Sequence, residues 1–100
     1  EMNLGKFLKQ PNENKDYDID FSPWLTPISD TLDEVDITVE CLDDPSDSTF
    51  LIERPILTET QYKFWCKGGT TGYVYKVTVL AYTTGGRKDE SEIYFVVEDL

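Results

Sequence analysis

Catalysis and metal binding draw on a short list of side chains, and this chain holds few of them: it has no histidine, and its cysteines are Cys41 and Cys66. Neither a zinc site nor a Cys–His nucleophile can be assembled within one copy of it. What remains is carboxylate, twenty Asp and Glu against nine Lys and Arg. Asp16-x-Asp18-x-Asp20 clusters the hard oxygen donors that calcium requires. An EF-hand loop begun at Asp16, however, needs glycine at its sixth position and glutamate at its twelfth, where Phe21 and Pro27 stand. A looser site recruiting Asp43, Asp44 or Asp47 is the weaker alternative to a solvated acidic edge. Gly68-Gly69-Thr70-Thr71-Gly72 is rich in glycine, yet no Walker lysine pattern follows and the next segment is strand-patterned, so phosphate cradling is not expected. No carboxylate pair is set apart from the others, as a glycosidase pair would have to be. The residues therefore read as a non-enzyme with no catalytic residue, no metal ligand and no cofactor.

The elements that position these side chains are strands. From Tyr73 to Tyr82 nearly every residue is apolar, aromatic or β-branched. Tyr73, Tyr75, Val77, Val79 and Ala81 fall on one face, and Val74, Lys76, Thr78, Leu80 and Tyr82 on the other. Thr83-Thr84-Gly85-Gly86-Arg87-Lys88 supplies a turn, and Ile93, Phe95 and Val97 alternate back, which predicts an antiparallel hairpin over 72–98. The tip at Gly86-Arg87-Lys88 is expected to be held by pairing with Asp89 or Glu90. Upstream, Val35, Ile37, Val39 and Cys41 alternate with Asp36, Thr38 and Glu40, and Tyr62, Phe64 and Cys66 alternate with Lys63, Trp65 and Lys67. Thr49 to Glu53 predicts a shorter strand that Arg54-Pro55 breaks. Pro23 and Pro27 stop any ladder after the Asp16–Phe21 alternation, leaving Trp24 and Leu25 as an apolar plug. Several short strands at this spacing, with no long helical pattern, predict an all-β antiparallel sandwich.

A chain of 100 residues buries roughly 60–65 % of its unfolded surface, enough for one domain. We divide it into an N-terminal arm, residues 1–15, and a sandwich domain, residues 16–100. Met2, Leu4, Phe7 and Leu8 in the arm have roughly helical spacing that Pro11 ends, so the arm is expected to be extended or partly helical and to order on a partner. Net charge is −11, and between Asn12 and Asp47 twelve acidic residues face one base, Lys15. That balance disfavours direct nucleic-acid binding, because phosphate contacts rely on Lys and Arg. No apolar run approaches the roughly 18 residues that span a bilayer, so no membrane partner is expected. Cys41 and Cys66 fit buried free thiols better than a disulfide, since the Trp expected between the two cysteines of an intersheet pair instead adjoins the second. Trp65, Tyr73, Tyr82 and Tyr94 would, if exposed, make a sugar-stacking patch, so the alternative to a structural protein is a cell-surface adhesion or carbohydrate-binding sandwich.

Gly72-x-x-Tyr75-x-Val77-x-Val79 resembles the entry to strand F of immunoglobulin-like and fibronectin type III domains, making Tyr75 the candidate for a structural tyrosine corner. Three stretches together resemble the small bacteriophage fibre-tail adaptor proteins. They are Asp16-Tyr17-Asp18-Ile19-Asp20-Phe21-Ser22-Pro23-Trp24-Leu25, then Asp30-Thr31-Leu32, then Phe64 to Thr78 with its Gly68-Gly69-Thr70-Thr71-Gly72 turn. The pattern continues through Gly86-Arg87-x-Asp89-Glu90-Ser91 to Glu98-Asp99. Phe21 in place of the usual Trp, and the acidic segment 43–48, depart from it. The resemblance implies an immunoglobulin-like sandwich and a non-enzymatic virion building block near the neck or tail, assembled in the cytoplasm of the bacterial host. Its implied partners are other virion proteins of neck, tail or fibre, with copies set as a homo-oligomeric ring on the particle. On this reading residues 1–25 make the assembly contact, and the interface candidates are Leu4, Phe7, Leu8, Tyr17, Trp24, Leu25 and Trp65.

Overall fold

The computed structural model describes the backbone of residues 2–99 and the side chains of residues 5–99. Its strands are β1 (Met2–Lys9), β2 (Lys15–Asp20), β3 (Leu32–Cys41), β4 (Leu51–Leu57), β5 (Gln61–Lys67), β6 (Val74–Thr83) and β7 (Lys88–Val97), with burial alternating residue by residue through β5 and β6. A single turn of helix, α1 (Ser22–Leu25), runs into a 3-10 turn, Thr26–Ile28, with Pro23 and Pro27 in the first turns of these two elements. A proline there costs nothing, because the N–H it lacks would have no helical acceptor. No helix among the described residues is long and apolar enough to cross a membrane.

The strands form two sheets, in the orders β1-β7-β6-β3 and β2-β5-β4, packed as a β-sandwich. β6 and β7 make the expected antiparallel hairpin, with Tyr75 opposite Phe95 and Val77 opposite Ile93. Tyr75, Val77, Val79 and Ala81 of β6 and Phe95 and Val97 of β7 are fully buried, against Phe64 and Cys66 of β5. Each large apolar side chain removed from water in this way contributes about 1.5–3 kcal/mol, so these alternate positions hold the layers together. An aromatic chain crosses the interior: Tyr17 meets Phe95 edge-on at 4.9 Å, Phe95 meets Phe50 at 5.3 Å, and Phe50 stacks on Tyr75 at 4.8 Å. Cys41 and Cys66 are buried free thiols. Burial pushes the Cys66 thiol up to about 12, which leaves it unreactive.

One expectation is narrowed and one corrected. The N-terminal segment, expected to be extended or partly helical, takes the extended form: Met2–Lys9 is a strand. It pairs in parallel with β7, Lys6 opposite Tyr94 and Phe7 opposite Phe95, after a register shift at Gly5. Eight residues cannot nucleate a helix without tertiary help, and the glycine costs a helix about 1 kcal/mol, whereas the exposed edge of β7 offers a complete ladder. Arg54-Pro55 does not end β4. A bulge between Glu53 and Ile56 absorbs both residues, with Arg54 in the left-handed region at φ 50, and pairing with β5 resumes beyond them. Pro55 is tolerated because β4 is an edge strand whose outward amides need no ladder partner.

Candidate functional site

Many of the carboxylates that the sequence offers for chemistry are engaged in clamping backbone and turns. Asp47 is the clearest case. Its Oδ1 accepts from the Thr49 N–H (2.9 Å), the Thr49 hydroxyl (2.7 Å) and the Tyr75 hydroxyl (3.0 Å), while Oδ2 accepts from the Thr70 hydroxyl (2.6 Å). These donors, Thr70 first, hold its pKa well below the usual carboxylate range. The Tyr75 oxygen in turn accepts the N–H of Thr70, five residues upstream, at 2.8 Å. The knot joins the 43–48 loop, the glycine turn after β5 and the start of β6. Among the described residues no group of three or more Asp, Glu or Cys is arranged to hold a metal ion. Asp16 pairs with Lys63 at 3.2 Å, and Asp20 accepts from both the N–H and the hydroxyl of Ser22.

At the opposite end of β6 a second clamp corrects the expectation for the hairpin tip. Arg87 pairs with Asp30, Nε to Oδ2 at 3.0 Å, rather than with Asp89 or Glu90. The same guanidinium donates to the Trp24 carbonyl at 2.9 Å and lies 4.4 Å from the centre of the Trp24 ring. Asp30 also accepts the N–H groups of Gly85 (2.8 Å) and Thr31 (2.9 Å). Hydrogen bonding from the Thr83 hydroxyl above all, then from Gly85, Arg87 and Thr31, lowers its pKa to about 2. Gly85 is required here, since a Cβ at that position would lie 2.9 Å from both carboxylate oxygens. Sequence reasoning seeks the partner of Arg87 nearby, and the actual partner is 57 residues away.

The flank of the sandwich between β1 and β2 carries the feature most suited to recognition. Tyr17 and Ile19 point inward from β2, and Phe7 descends from β1 to meet the Tyr17 ring at 5.3 Å. Beside them lie two shallow cavities of about 220 and 230 Å³. The first is walled by Ile19, Phe21, Pro23 and Trp24, with Asp20 and Asp89. The second is walled by Phe7, Tyr17, Ile19 and Ile93, with Asp18 and Asp20. Ile19 and Asp20 are common to both, so the two form one groove, and neither is lined by Lys or Arg.

Of the interface candidates, Phe7, Tyr17 and Trp24 line this groove. Leu8 is exposed on the other face of β1. Leu25 is fully buried in the core and has no surface to offer. Trp65 lies on β5, opposite Asp16 of β2 but on the outer face of that sheet, where the Arg54 guanidinium sits 4.5 Å from its ring centre. The Leu4 side chain lies outside the described residues. Sequence reasoning missed Ile19, Phe21 and Pro23 as groove walls, and Asp18 and Asp89 as its charged margin. The Asp-Tyr-Asp-Ile-Asp alternation is the available signal, since it puts acids and apolar groups on opposite sides of an edge strand.

A small two-sheet sandwich whose carboxylates clamp its own turns, and whose open flank presents an apolar groove, is by class a structural or binding module. The family model described as podophage GP4 fiber-tail adaptor protein gp77 matches residues 9–96, and the chain belongs to that family. It is thus a bacteriophage virion protein, a fibre-tail adaptor, in agreement with the resemblance carried by its Asp-Tyr, Trp-Leu, Gly-Gly-Thr and Gly-Arg-x-Asp elements. Among solved structures, the solution structure of amebosin aligns at TM-score 0.44 and 18 % identity over 97 % of each chain. No curated protein matches the sequence.

Proposed function

We propose that this protein is a non-enzymatic, immunoglobulin-like adaptor that joins fibre to tail by docking other virion proteins along the flank built from residues 1–25. The observation that carries the reading is the family match over residues 9–96. The strand order supports the immunoglobulin-like type: β2, β5 and β4 stand as strands B, E and D of such a sandwich, and β3, β6 and β7 as C, F and G. In this reading residues 16–100 are the sandwich and residues 1–15 its added edge. Copies are set as a ring on the particle, because a symmetric tail presents the same docking surface repeatedly. Direct nucleic-acid contact is disfavoured by a net charge of −11, and assembly takes place in the host cytoplasm without a membrane partner.

The test is reconstitution. Purified protein mixed with particles lacking it should bind at a fixed number of copies per particle. Failure to bind them, together with retention on a glycan column, would replace the adaptor with a carbohydrate-binding module. Arg54 over the Trp65 ring already occupies the face that a sugar would stack on. The contact is better probed by Leu8→Asp than by removing residues 1–15. Deletion would also take Lys9, whose buried ammonium donates to the Gly68 carbonyl at 2.6 Å. Leu8→Asp should reduce incorporation while leaving the melting temperature near that of the parent.

A further inference from the structure

We propose that the groove along β2, facing β1 and β7, receives an extended basic and apolar segment of another virion protein, which adds as a strand to the free edge of β2. The proposal rests on the adaptor reading and names the chemistry of its partner. In a constant-type immunoglobulin sandwich the first strand lies beside strand B. Here the first strand is laid on β7 instead, so among the described residues β2 pairs with β5 alone and its other edge is open along the groove. An open edge presents unpaired amides and carbonyls to any extended chain that reaches it.

The groove fits such a chain. A cavity of about 150 Å³ suffices to hold benzene, so each of the two here, at about 220 and 230 Å³, admits one aromatic or branched side chain. The cavities are consecutive along β2, sharing Ile19, and a strand presents side chains to one face at every second residue, about 6.6 Å apart. Alternate apolar residues of the guest would therefore enter neighbouring cavities.

Charge selects the guest. Asp18, Asp20 and Asp89 stand at the groove, and none of the three is in an ion pair among the described residues. Lys or Arg at the intervening positions of the guest would meet them. A second copy of this chain is the wrong occupant. Edge-to-edge pairing of two β2 strands would set Asp16, Asp18 and Asp20 against their own kind, and each copy carries a net charge of −11.

The experiment uses the full chain and particles lacking it. Asp18→Lys with Asp89→Lys should weaken particle binding about tenfold or more; because Asp89→Lys also takes the acceptor of the buried Ser91 hydroxyl, the melting temperature of the free protein is read alongside. A benzophenone side chain placed at position 18 should cross-link, on assembled particles, to a segment of another virion protein with alternating apolar and basic residues. The same group at position 40, on β3 at the far edge of the other sheet, should give no such product. Undiminished binding by the double variant, or a cross-link at position 18 to a second copy of this chain or to an acidic segment, would overturn the proposal. Should the double variant fail to fold, Asp18→Asn and the cross-link still decide. Wild-type protein that does not bind the particles at all would count against the adaptor reading, whereas normal wild-type binding with an unaffected variant would count against the groove alone.

Discussion

Asp30 does at residue scale what the acidic composition only hints at. Its side chain is 5 % exposed and faces Arg87, yet the N–H groups of Gly85 and Thr31 and the Thr83 hydroxyl tie it as firmly to the turn as the ion pair does. A carboxylate held at about 2 in the folded state and at its ordinary value near 3.8 when unfolded favours folding through its charged form. That contribution is full above the ordinary value and is lost as pH falls through about 4 toward about 2. Asp30→Asn should therefore remove up to one proton from the acid slope of stability in this window, read from denaturant midpoints at a series of pH values. An unchanged slope would refute it. Tyr75 makes a second residue-scale case. Tyr75→Phe keeps the stack on Phe50 but leaves the Thr70 N–H without its acceptor and takes one donor from Asp47. It should cost about 1–3 kcal/mol in a thermal or denaturant melt.

At the scale of elements, β1 is an edge strand that pairs in parallel, and a register shift at Gly5 interrupts it. Its attachment comes from the C-terminal end. Lys9 is fully buried, and its ammonium donates to the carbonyls of Gly68 (2.6 Å) and Gln10 (2.8 Å), while the Glu98 N–H donates to the Lys9 carbonyl. Gly68 is in the left-handed region at φ 77, and a Cβ there would run into the Thr49 carbonyl oxygen. The glycine turn is thus shaped to take Lys9 on one side and the approach to β4 on the other. Lys9→Met should raise amide exchange rates across β1 while β6 and its partner face of β7 keep their protection. Equal acceleration in all three strands would mean that Lys9 stabilises the whole sandwich instead.

For the whole molecule, the dimensions of 43 × 21 × 18 Å put the Asp47 knot and the Asp30 latch at opposite ends of β6, with the groove along one flank between them. Both ends are tied by side chains on backbone, and the apolar opening is lateral. With a net charge of −11 and carboxylates at the groove, association with a basic partner is steered by charge. Raising salt from about 0.05 M to about 0.5 M should weaken particle binding, chiefly through the association rate, and leave stability little changed. Binding indifferent to salt would point to an apolar contact elsewhere, with the exposed Ile28, Ile56 and Leu57 as the residues to examine.

Alternation and turn chemistry by themselves determined the two-layer β architecture, the hairpin over 72–98 and the inward faces of β5 and β6, because period-2 burial is a local property of an extended chain. Ordered motifs carried the fibre-tail family. Only the tertiary structure decided the rest. β1 became a strand because β7 had an edge to share, Arg87 found Asp30 across 57 residues, and Leu25 went into the core while Trp24 stayed at the groove. Each of these outcomes depends on which segments meet in space, and pairing over long sequence separations leaves no periodic trace in the residues themselves.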